Sequence, residues 1–357
     1  MKPIDVLVVG CGNMGSSHAR AYHRLDEFNI TGVVSRGPQS RSRLSKELGD
    51  IPRFSDYEEA LAKTSPDAVC ISTYPETHAR YTIRAMESGA HVFVEKPVAE
   101  SVKDAEAVVR MSGETGKKVV VGYILRHHPG WIKFIGYAQK LGKPLVMRMN
   151  LNQQSTGDEW EVHKKIMNAM SPIVDCGVHY VDVMCQMTKA APVHVHAVGV
   201  RLSDELRPGM YNYGQLQVTF DDGSAGWYES GWGPMISENA YFIKDVYGPK
   251  GSVSIRKETF NGPRGRSADI GGHTAVNRLQ FHPADLDRNG KFAKEDKIIE
   301  TPEEPEHDEL CLLEQKFFLR AIKDNLDLSG HLREVVHTLR IVLASDESVR
   351  TGKSVKL

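Results

Sequence analysis

The fold of this chain is decided near its N-terminus by the stretch DVLVVGCGNMG, residues Asp5–Gly15. The apolar run that follows the aspartate is typical of a strand buried on both faces. Glycines come next with the spacing GxGxxG, and a helical pattern then continues to about Leu25. A second apolar run, Ile30–Val34, completes a strand–helix–strand unit of about 30 residues, a context in which this glycine pattern is a strong signal.

The glycine spacing has a physical purpose at the turn between strand and helix. Gly10 allows a tight turn, Gly12 lets the backbone approach a pyrophosphate, and Gly15 lets the helix pack closely on the strand. The helix N-terminus, with the N–H groups of Asn13 and Met14, offers a positive dipole end to phosphate oxygens. We therefore predict a dinucleotide-binding site here; the structural alternative is a glycine-rich turn that binds nothing.

The residues after the second strand predict which dinucleotide is bound. A carboxylate about 20 residues beyond the glycines would hydrogen-bond the ribose hydroxyls of NAD. Ser35 and Arg36 stand there instead, with Arg41 and Arg43 just downstream. A hydroxyl beside a guanidinium suits a 2′-phosphate, so the pattern favours NADP over NAD. The alternative is that Arg36 only stacks on the adenine and that either cofactor fits.

Strands and helices continue to alternate up to Tyr123, which predicts a parallel, doubly wound sheet: a Rossmann-type α/β domain over residues 1–123. The carboxyl ends of such strands open into the crevice where α/β proteins bind ligands. Two more strand ends carry candidate cofactor-binding residues there, namely Thr73, Tyr74 and His78 after one strand and Glu95 and Lys96 after the next. Lys96 is also a candidate for chemistry, whereas most strand-end lysines are simply solvated.

Consecutive strand-like runs without helices between them predict a mostly antiparallel sheet in the second half, and so an α+β domain over residues 124–357. The runs are Leu145–Asn152, Val193–Val200, Gly214–Phe220, Ser224–Glu229 and Ser252–Ile255. Asp221-Asp222-Gly223 predicts a hairpin turn between two of them. Residues 261–272 and 283–296 are expected to be surface loops. Amphipathic helices at 310–322 and 335–349 close the chain, and the last is free to pack back on the first domain.

One predicted helix in the second half carries an unusual set of polar groups. Ser171 can cap its N-terminus. Asp175 and His179 are four residues apart and share a face, which Asp182 is expected to extend. A carboxylate beside an imidazole orients the ring and favours its charged form, which suits a general base that takes a hydroxyl proton. The alternative is a structural ion pair on an exposed helix face.

Composition excludes several classes of function. The 357 residues, 40% hydrophobic and 25% charged, with a net charge of −1, give no reason to expect nucleic-acid or membrane binding.

The five cysteines are scattered without a CxxC, which favours a reducing cytoplasm over a disulfide framework. Usual metal-ligand spacings are also absent, so we expect no metal, and a site joining Asp175 to His163 or His127 is disfavoured.

Several short motifs follow one another in an order and at spacings that together are highly specific. They are the Gly10–Gly15 loop, Glu95-Lys96-Pro97, Gly122-Tyr123 with Arg126 and Pro129, Asp175 four residues before His179, Asp222-Gly223-Ser224, and Arg350-Thr351-Gly352-Lys353. On these motifs nearly the whole chain resembles the Gfo/Idh/MocA family, which includes glucose–fructose oxidoreductase and inositol dehydrogenase. Many relatives carry an aspartate at the position of Ser35, so a preference for NAD cannot be carried over.

The resemblance implies a nucleotide-binding domain followed by an open sheet that is often used for oligomerisation, here as a homodimer or homotetramer. It implies that Lys96 anchors the substrate oxygen near the nicotinamide, and that His179 is the acid/base with Asp175 as its partner. In the family the peptide bond before the proline that matches Pro97 is often cis.

The expected function is that of an NAD(P)-dependent oxidoreductase acting on a sugar, polyol or inositol-like small molecule. Candidates for shaping its substrate pocket are Tyr123, Arg126, Asn152, Trp160 and His163. One rival is a glycosidase that uses NAD in a transient oxidation and elimination. The other is a non-catalytic nucleotide-sensing regulator, against which the joint presence of Lys96, Asp175 and His179 argues.

Overall fold

A computed structural model of the chain describes residues 2–237, 242–256, 274–301 and 304–357. The chain divides into two compact units, the first made of Met1–Ile124 and Pro305–Val336, and the second of Leu125–Glu304 and His337–Leu357. The division thus falls beside the expected boundary after Tyr123, and residues 305–336 return to the first unit. The predicted loop at 261–272 lies outside the described residues.

The first unit is built on a six-stranded parallel sheet, which confirms the predicted doubly wound fold. Its strands are β1 (Ile4–Val9), β2 (Phe28–Val34), β3 (Arg53–Phe54), β4 (Ala68–Ile71), β5 (His91–Glu95) and β6 (Val119–Gly122). Their order across the sheet is β3-β2-β1-β4-β5-β6. The order reverses between β1 and β4, and at such a point the strand ends diverge and leave a crevice for a ligand.

Helices connect these strands. They are α1 (Asn13–His23), α2 (Pro38–Glu47), α3 (Tyr57–Thr64), α4 (Pro75–Glu87) and α5 (Val102–Thr115). Side-chain caps begin two of them: Asp56 accepts from the Glu59 N–H, and Ser101 accepts from the Asp104 N–H. Late in the chain, α9 (His307–Lys323) packs on α1, and α10 (Ser329–Thr351) starts in this unit and ends in the other.

The second unit is built on a nine-stranded, mostly antiparallel sheet, as predicted. Its strands are β7 (Val146–Gln153), β8 (Pro192–Val200), β9 (Tyr213–Phe220), β10 (Ala225–Trp232), β11 (Lys244–Gly248), β12 (Gly251–Arg256), β13 (Arg278–Pro283), β14 (Lys297–Glu300) and β15 (Val355–Lys356). They lie in the order β14-β13-β12-β11-β7-β10-β9-β8-β15, and only β7 and β10 pair in parallel among the described strands. Gly223, at a φ of 82°, closes the predicted hairpin turn between β9 and β10.

Helices cover one face of this sheet. They are α6 (Pro129–Ala138), α7 (Asp158–Met167) and α8 (Val178–Thr188), and a π-turn (Ile173–Gly177) leads directly into α8. Tyr180 of α8 stacks on Tyr228 of β10 with ring centroids 5.3 Å apart, and Tyr137 of α6 lies 5.4 Å from Phe281 of β13. The sequence signals for α7, β11, β13, β14 and β15 were too weak to predict these elements.

Two general properties bear on function. Among the described residues, no helix combines the length and the apolar character that a membrane crossing requires. All five cysteines are free thiols, four of them buried and Cys176 half-buried.

Candidate active site

The glycines after β1 create a contact that only glycine permits. Gly10 has a φ of +106°, and a Cβ at this position would lie 2.2 Å from the carbonyl oxygen of Ser72. A Cβ at Gly15 would lie 2.0 Å from the carbonyl oxygen of Gly10. The start of α1 is therefore pressed against the ends of β1 and β4, which fits the tight turn predicted at Gly10 and the close helix packing predicted at Gly15.

Gly12 has a different environment. A Cβ there would meet no atom within 4 Å, so the space above it is open. Gly12 is the N-cap of α1, where no side chain caps the helix and the first turn contains no acidic residue. The first N–H groups of α1, including those of Asn13 and Met14, are thus presented to an open space at a positive dipole end, which fits the pyrophosphate of a dinucleotide.

The loop after β4 places three predicted cofactor residues in distinct environments. Tyr74 is 68% exposed, and the Thr73 hydroxyl hydrogen-bonds that of Thr77 at 2.6 Å. His78 is buried instead: Nδ1 lies 2.7 Å from the carbonyl oxygen of Pro97, and Nε2 lies 3.0 Å from that of Thr73. His78 therefore links the loops after β4 and β5, while Thr73 and Tyr74 remain at the rim.

The turn after β2 carries hydroxyl and guanidinium groups and no carboxylate from Ser35 to Arg43. The Ser35 hydroxyl accepts from the Gly37 N–H at 3.3 Å, and the Arg41 guanidinium donates to the Ser35 carbonyl oxygen. The side chain of Arg36 is exposed. Helix α2 starts here, with no acidic residue in its first turn, so the local field favours an anionic group.

Lys96 directly follows β5 and is half-buried, at the same carboxyl edge of the sheet as Gly10 and Thr73. The Lys96–Pro97 peptide bond is cis, as the family resemblance led us to expect. Glu95, predicted to bind cofactor, is only 6% exposed. Its Oε1 lies 2.7 Å from Nε2 of His18, and its Oε2 accepts from the Lys96 N–H at 3.2 Å. The glutamate therefore points into the unit.

In the second unit, the π-turn and the start of α8 carry the predicted acid/base pair. The Ser171 hydroxyl accepts from the Val174 N–H at 3.2 Å, as expected of a cap. Asp175, Cys176 and His179 are half-exposed, whereas most of their neighbours in the chain are buried. The Cys176 thiol lies 3.6 Å from Oδ2 of Asp175, and we refer to the three half-exposed side chains Asp175, Cys176 and His179 as the stripe. π-turns are frequent at functional sites.

Asp182 does not extend this stripe, and that expectation was wrong. Its side chain is completely buried and receives two hydrogen bonds from the Arg126 guanidinium, at 2.9 and 2.6 Å. Burial raises the pKa of the Asp182 carboxyl, and the charge and hydrogen bonds of Arg126 oppose that rise. Arg126, a candidate for substrate binding, is thus engaged in a buried ion pair.

Trp160 and His163 lie in α7, close to the stripe. The His163 ring lies 4.8 Å from that of Trp232, and its Nδ1 is 2.9 Å from the Ser155 hydroxyl. Trp160 donates from its indole nitrogen to Glu205 at 3.0 Å. Trp160 and Trp232 belong to one apolar cluster, and Cys176 packs against it. Both candidates therefore lie on the side of the unit that carries Asp175.

The other two pocket candidates lie elsewhere. Asn152 of β7 donates to Glu229 at 3.3 Å, and because side chains alternate along a strand it faces away from its neighbour Gln153. The Gln153 side chain approaches the Cys176 thiol at 3.9 Å. Sequence reasoning thus missed Gln153, since the strand register was unknown. Tyr123 is fully buried in the first unit.

Two family models match the chain. A model of an oxidoreductase family with an NAD-binding Rossmann fold matches residues 4–123, and a GFO/IDH/MocA C-terminal domain matches residues 136–254. Together they cover more than half of the sequence. The chain therefore belongs to the Gfo/Idh/MocA family, as its motifs indicated.

Individual relatives differ in how much they share with the chain. The chain is 28% identical to scyllo-inositol 2-dehydrogenase (NAD(+)) of Bacillus subtilis over 306 residues, 80% of this chain and 86% of that protein. It is 35% identical to 4-carboxy-2-hydroxymuconate-6-semialdehyde dehydrogenase of a Sphingobium strain, but over only 35% of this chain and 39% of that protein. It is 26% identical to 2,7-anhydro-N-acetylneuraminate hydratase of Escherichia coli over 76% of this chain and 71% of that protein.

A solved structure supports the fold. The scyllo-inositol dehydrogenase of Lactobacillus casei with bound NAD(H) and scyllo-inositol superimposes with a TM-score of 0.76 over 99% of both chains, at 19% identity.

The two glycine environments predict opposite effects of adding a methyl group. Gly12→Ala should leave the free energy of unfolding within about 1 kcal/mol of wild type, yet weaken cofactor binding at least tenfold, because the methyl enters the open space. Gly15→Ala should lower the unfolding temperature without any ligand, because the new Cβ overlaps the Gly10 carbonyl oxygen. Thermal unfolding and fluorescence titration with NADPH and NADH measure both effects; equal behaviour of the two variants would contradict this account.

The buried ion pair predicts that Arg126→Met costs about 3–5 kcal/mol of unfolding free energy, because it leaves the Asp182 carboxylate buried without its cationic partner. Loss of Arg126 raises the pKa of Asp182 further above its unfolded value. In mild acid the carboxyl of the variant is neutral and less costly to bury, so the destabilisation should be small there and grow as pH rises through that pKa.

The matched control is Arg20→Met, which breaks a two-bond pair with Glu47 in a more exposed position. It should cost about 0–1 kcal/mol. Urea unfolding at several pH values measures both variants, and a cost for Arg126→Met no larger than the control's would exclude a structural role for the buried pair.

Proposed function

We propose that this protein is an NAD(P)-dependent oxidoreductase that acts on a CH–OH group of a sugar, polyol or inositol-like substrate. The observation that carries the proposal is the open space over Gly12 at the uncapped N-terminus of α1, with Lys96 at the carboxyl edge of the same sheet. That arrangement suits a dinucleotide whose reactive ring lies near a cationic side chain.

The chain's own residues would divide the work as follows. A nicotinamide dinucleotide held at the Gly10–Gly15 turn and the N-terminus of α1 would supply the hydride chemistry at the carbinol carbon. His179 takes the hydroxyl proton during oxidation and gives it back during reduction, and Asp175 orients its ring. Lys96 stabilises the substrate oxygen as negative charge develops on it. The half-exposed positions of Lys96, Asp175 and His179 support these roles.

The substrate class is inferred from relatives together with the second unit. The Bacillus subtilis relative is named as a scyllo-inositol dehydrogenase and matches over most of its length. Trp160, His163 and Gln153 lie on the side of the unit that carries Asp175. Aromatic rings beside a few polar groups are typical of sites that bind polyhydroxylated rings, because the rings cover C–H faces while the polar groups bind hydroxyls.

A redox-neutral reaction is the second candidate. The Escherichia coli relative is named as a hydratase rather than a dehydrogenase, and it matches over 71% of its length. A transient oxidation followed by elimination, as in NAD-dependent glycosidases, would use the same lysine and histidine and return the cofactor to its starting state.

A screen of sugars and polyols with both cofactors, followed by nicotinamide absorbance, should show net formation or consumption of NAD(P)H with at least one compound. His179→Asn should lower kcat by about 10²–10⁴-fold, and Lys96→Ala should lower it by about 10²–10³-fold. The controls are His23→Asn and Lys63→Ala, which change exposed residues outside the proposed site.

Product formed without any change in nicotinamide absorbance would favour the redox-neutral reaction instead. Near-wild-type turnover by Lys96→Ala would overturn the proposed catalytic roles.

We further propose a preference for NADP over NAD. The Ser35–Arg43 segment combines a hydroxyl, the exposed Arg36 guanidinium and the N-terminus of α2 with no acidic group in its first turn. These groups can bind a 2′-phosphate, and none of them repels it.

Ser35→Asp should therefore reverse the preference. The new carboxylate repels the 2′-phosphate and can accept from ribose hydroxyls, so the Kd for NADPH should rise about tenfold while that for NADH falls. Ser42→Asp adds the same charge farther along α2 and should change the ratio of the two Kd values little. Tighter binding of NADH than of NADPH by the wild-type protein would sink this assignment.

We also propose that the protein forms a homodimer or homotetramer through the face of the nine-stranded sheet that no described helix covers. Cross-strand register places the exposed apolar side chains Val146, Val198, Val200, Tyr247 and Ile298 on that one face, opposite the face covered by α6 and α8. Exposed apolar residues gathered on one face are typical of an interaction surface.

Light scattering should then give two or four times the chain mass for the wild-type protein. Val198→Asp should shift the mass toward that of a single chain, because a buried unpaired carboxylate disfavours association. Val162→Asp is the control, since Val162 is similarly exposed but lies on α7. A wild-type protein that elutes as a single chain would refute the proposal.

A further inference from the structure

Strand β5 ends in a glutamate whose side chain turns away from the rim and into the first unit. Oε1 of Glu95 lies 2.7 Å from Nε2 of His18 in α1, and Oε2 accepts from the Lys96 N–H at 3.2 Å. The amide nitrogen of Gln315 in α9 donates to Nδ1 of His18 at 2.9 Å. The three side chains therefore form one buried chain of hydrogen bonds that ends at the backbone of Lys96.

The hydrogen bonds of this chain have a defined direction. Because Gln315 donates to Nδ1, the imidazole of His18 carries its proton on Nε2 and donates it to Glu95. His18 is completely buried and Gln315 is too, so neither bond competes with water. Both nitrogens of His18 are occupied in this way, and we therefore do not interpret its proximity to Cys311 and Glu314 as a metal site.

The fold makes room for this carboxylate. Glu95 pairs in register with Gly122 of β6, and a Cβ at Gly122 would lie 3.2 Å from Oε1 of Glu95. A larger residue at position 122 would crowd the carboxylate. His18 is also on the helix whose N-terminus faces the open space over Gly12, so the same hydrogen-bond chain connects the glycine turn with the end of β5.

We propose that Glu95 and His18 are positioning residues that hold the backbone of Lys96 from inside the unit, rather than residues that contact the cofactor. The inference rests on the proposed role of Lys96 and adds to it the support that fixes its position. Glu95 is 6% exposed and its two oxygens face His18 and the Lys96 N–H, so it acts on the reaction through Lys96.

A neighbouring glutamate supplies a matched control. Glu314 is 1% exposed and lies beside His18 and Cys311, and no hydrogen bond joins it to the chain described above. Burial, and then the nearby Glu95 carboxylate, raise the pKa of Glu314 well above its usual range. Glu314→Gln should therefore be tolerated, because it replaces a buried group that the fold favours in its neutral form.

The test compares Glu95→Gln, His18→Leu, His18→Gln and Glu314→Gln in the full-length protein. With its oxygen facing His18, a glutamine at position 95 presents an N–H group to the Lys96 N–H, and that hydrogen bond is lost. Glu95→Gln and His18→Leu should speed deuterium exchange of the Lys96 amide about tenfold. They should also lower kcat about 10–100-fold with KM for the cofactor nearly unchanged.

His18→Gln keeps a donor for Glu95 and should recover part of both effects, whereas Glu314→Gln should show neither. A raised cofactor KM at unchanged kcat in Glu95→Gln would overturn the proposal, because it would place Glu95 in direct contact with the cofactor. The proposal would also be overturned if the Lys96 amide of Glu95→Gln exchanged deuterium at the wild-type rate. If the wild-type protein turns over no substrate, the proposed function fails, while the exchange measurement still decides whether Glu95 and His18 hold Lys96.

Discussion

The close contact between the start of α1 and the ends of β1 and β4 is the constraint on which the first unit depends. A Cβ at Gly15 would lie 2.0 Å from the Gly10 carbonyl oxygen, and one at Gly10 would lie 2.2 Å from that of Ser72. These approaches bring the helix N-terminus to the point where the strand order reverses. Both the open space over Gly12 and the inward position of His18 follow from where that contact places α1.

The first unit could be predicted well because its signals are local. Apolar runs and glycine spacing act over a few residues, and they placed the helices and every strand of this unit except the two-residue β3 close to where the structure has them. The partner of Glu95 could not be found in this way. His18 and Gln315 are separated from it by 77 and 220 positions in the chain, and only the packing of α1 and α9 brings them together. The sequence feature that could have pointed to this contact was His18, three residues after Gly15 on a predicted helix.

The second unit was harder because its contacts join distant strands. β11, β13 and β14 are short or rich in polar residues, and their pairing with each other and with β12 stabilises them where the local sequence does not. A difference of one residue also matters in a strand: Gln153 approaches Cys176, whereas Asn152 faces the opposite side. The helical spacing of Asp182 led to the wrong prediction that it extends the face of Asp175 and His179, because spacing specifies a helix face but not what covers that face.

Burial distinguishes the charged groups that support the structure from those that a substrate could reach. Asp182 and Glu95 are enclosed. Arg126 and Gln186 donate hydrogen bonds to Asp182, and His18 and the Lys96 N–H donate to Glu95. Such groups are costly to bury and have little freedom to exchange partners, so they suit structural support. Lys96, Asp175 and His179 are half-exposed, and a side chain that must bind a substrate oxygen or exchange a proton needs that access. The sequence identified which residue types could do chemistry, but only their environment separates the residues that could react from those that hold them in place.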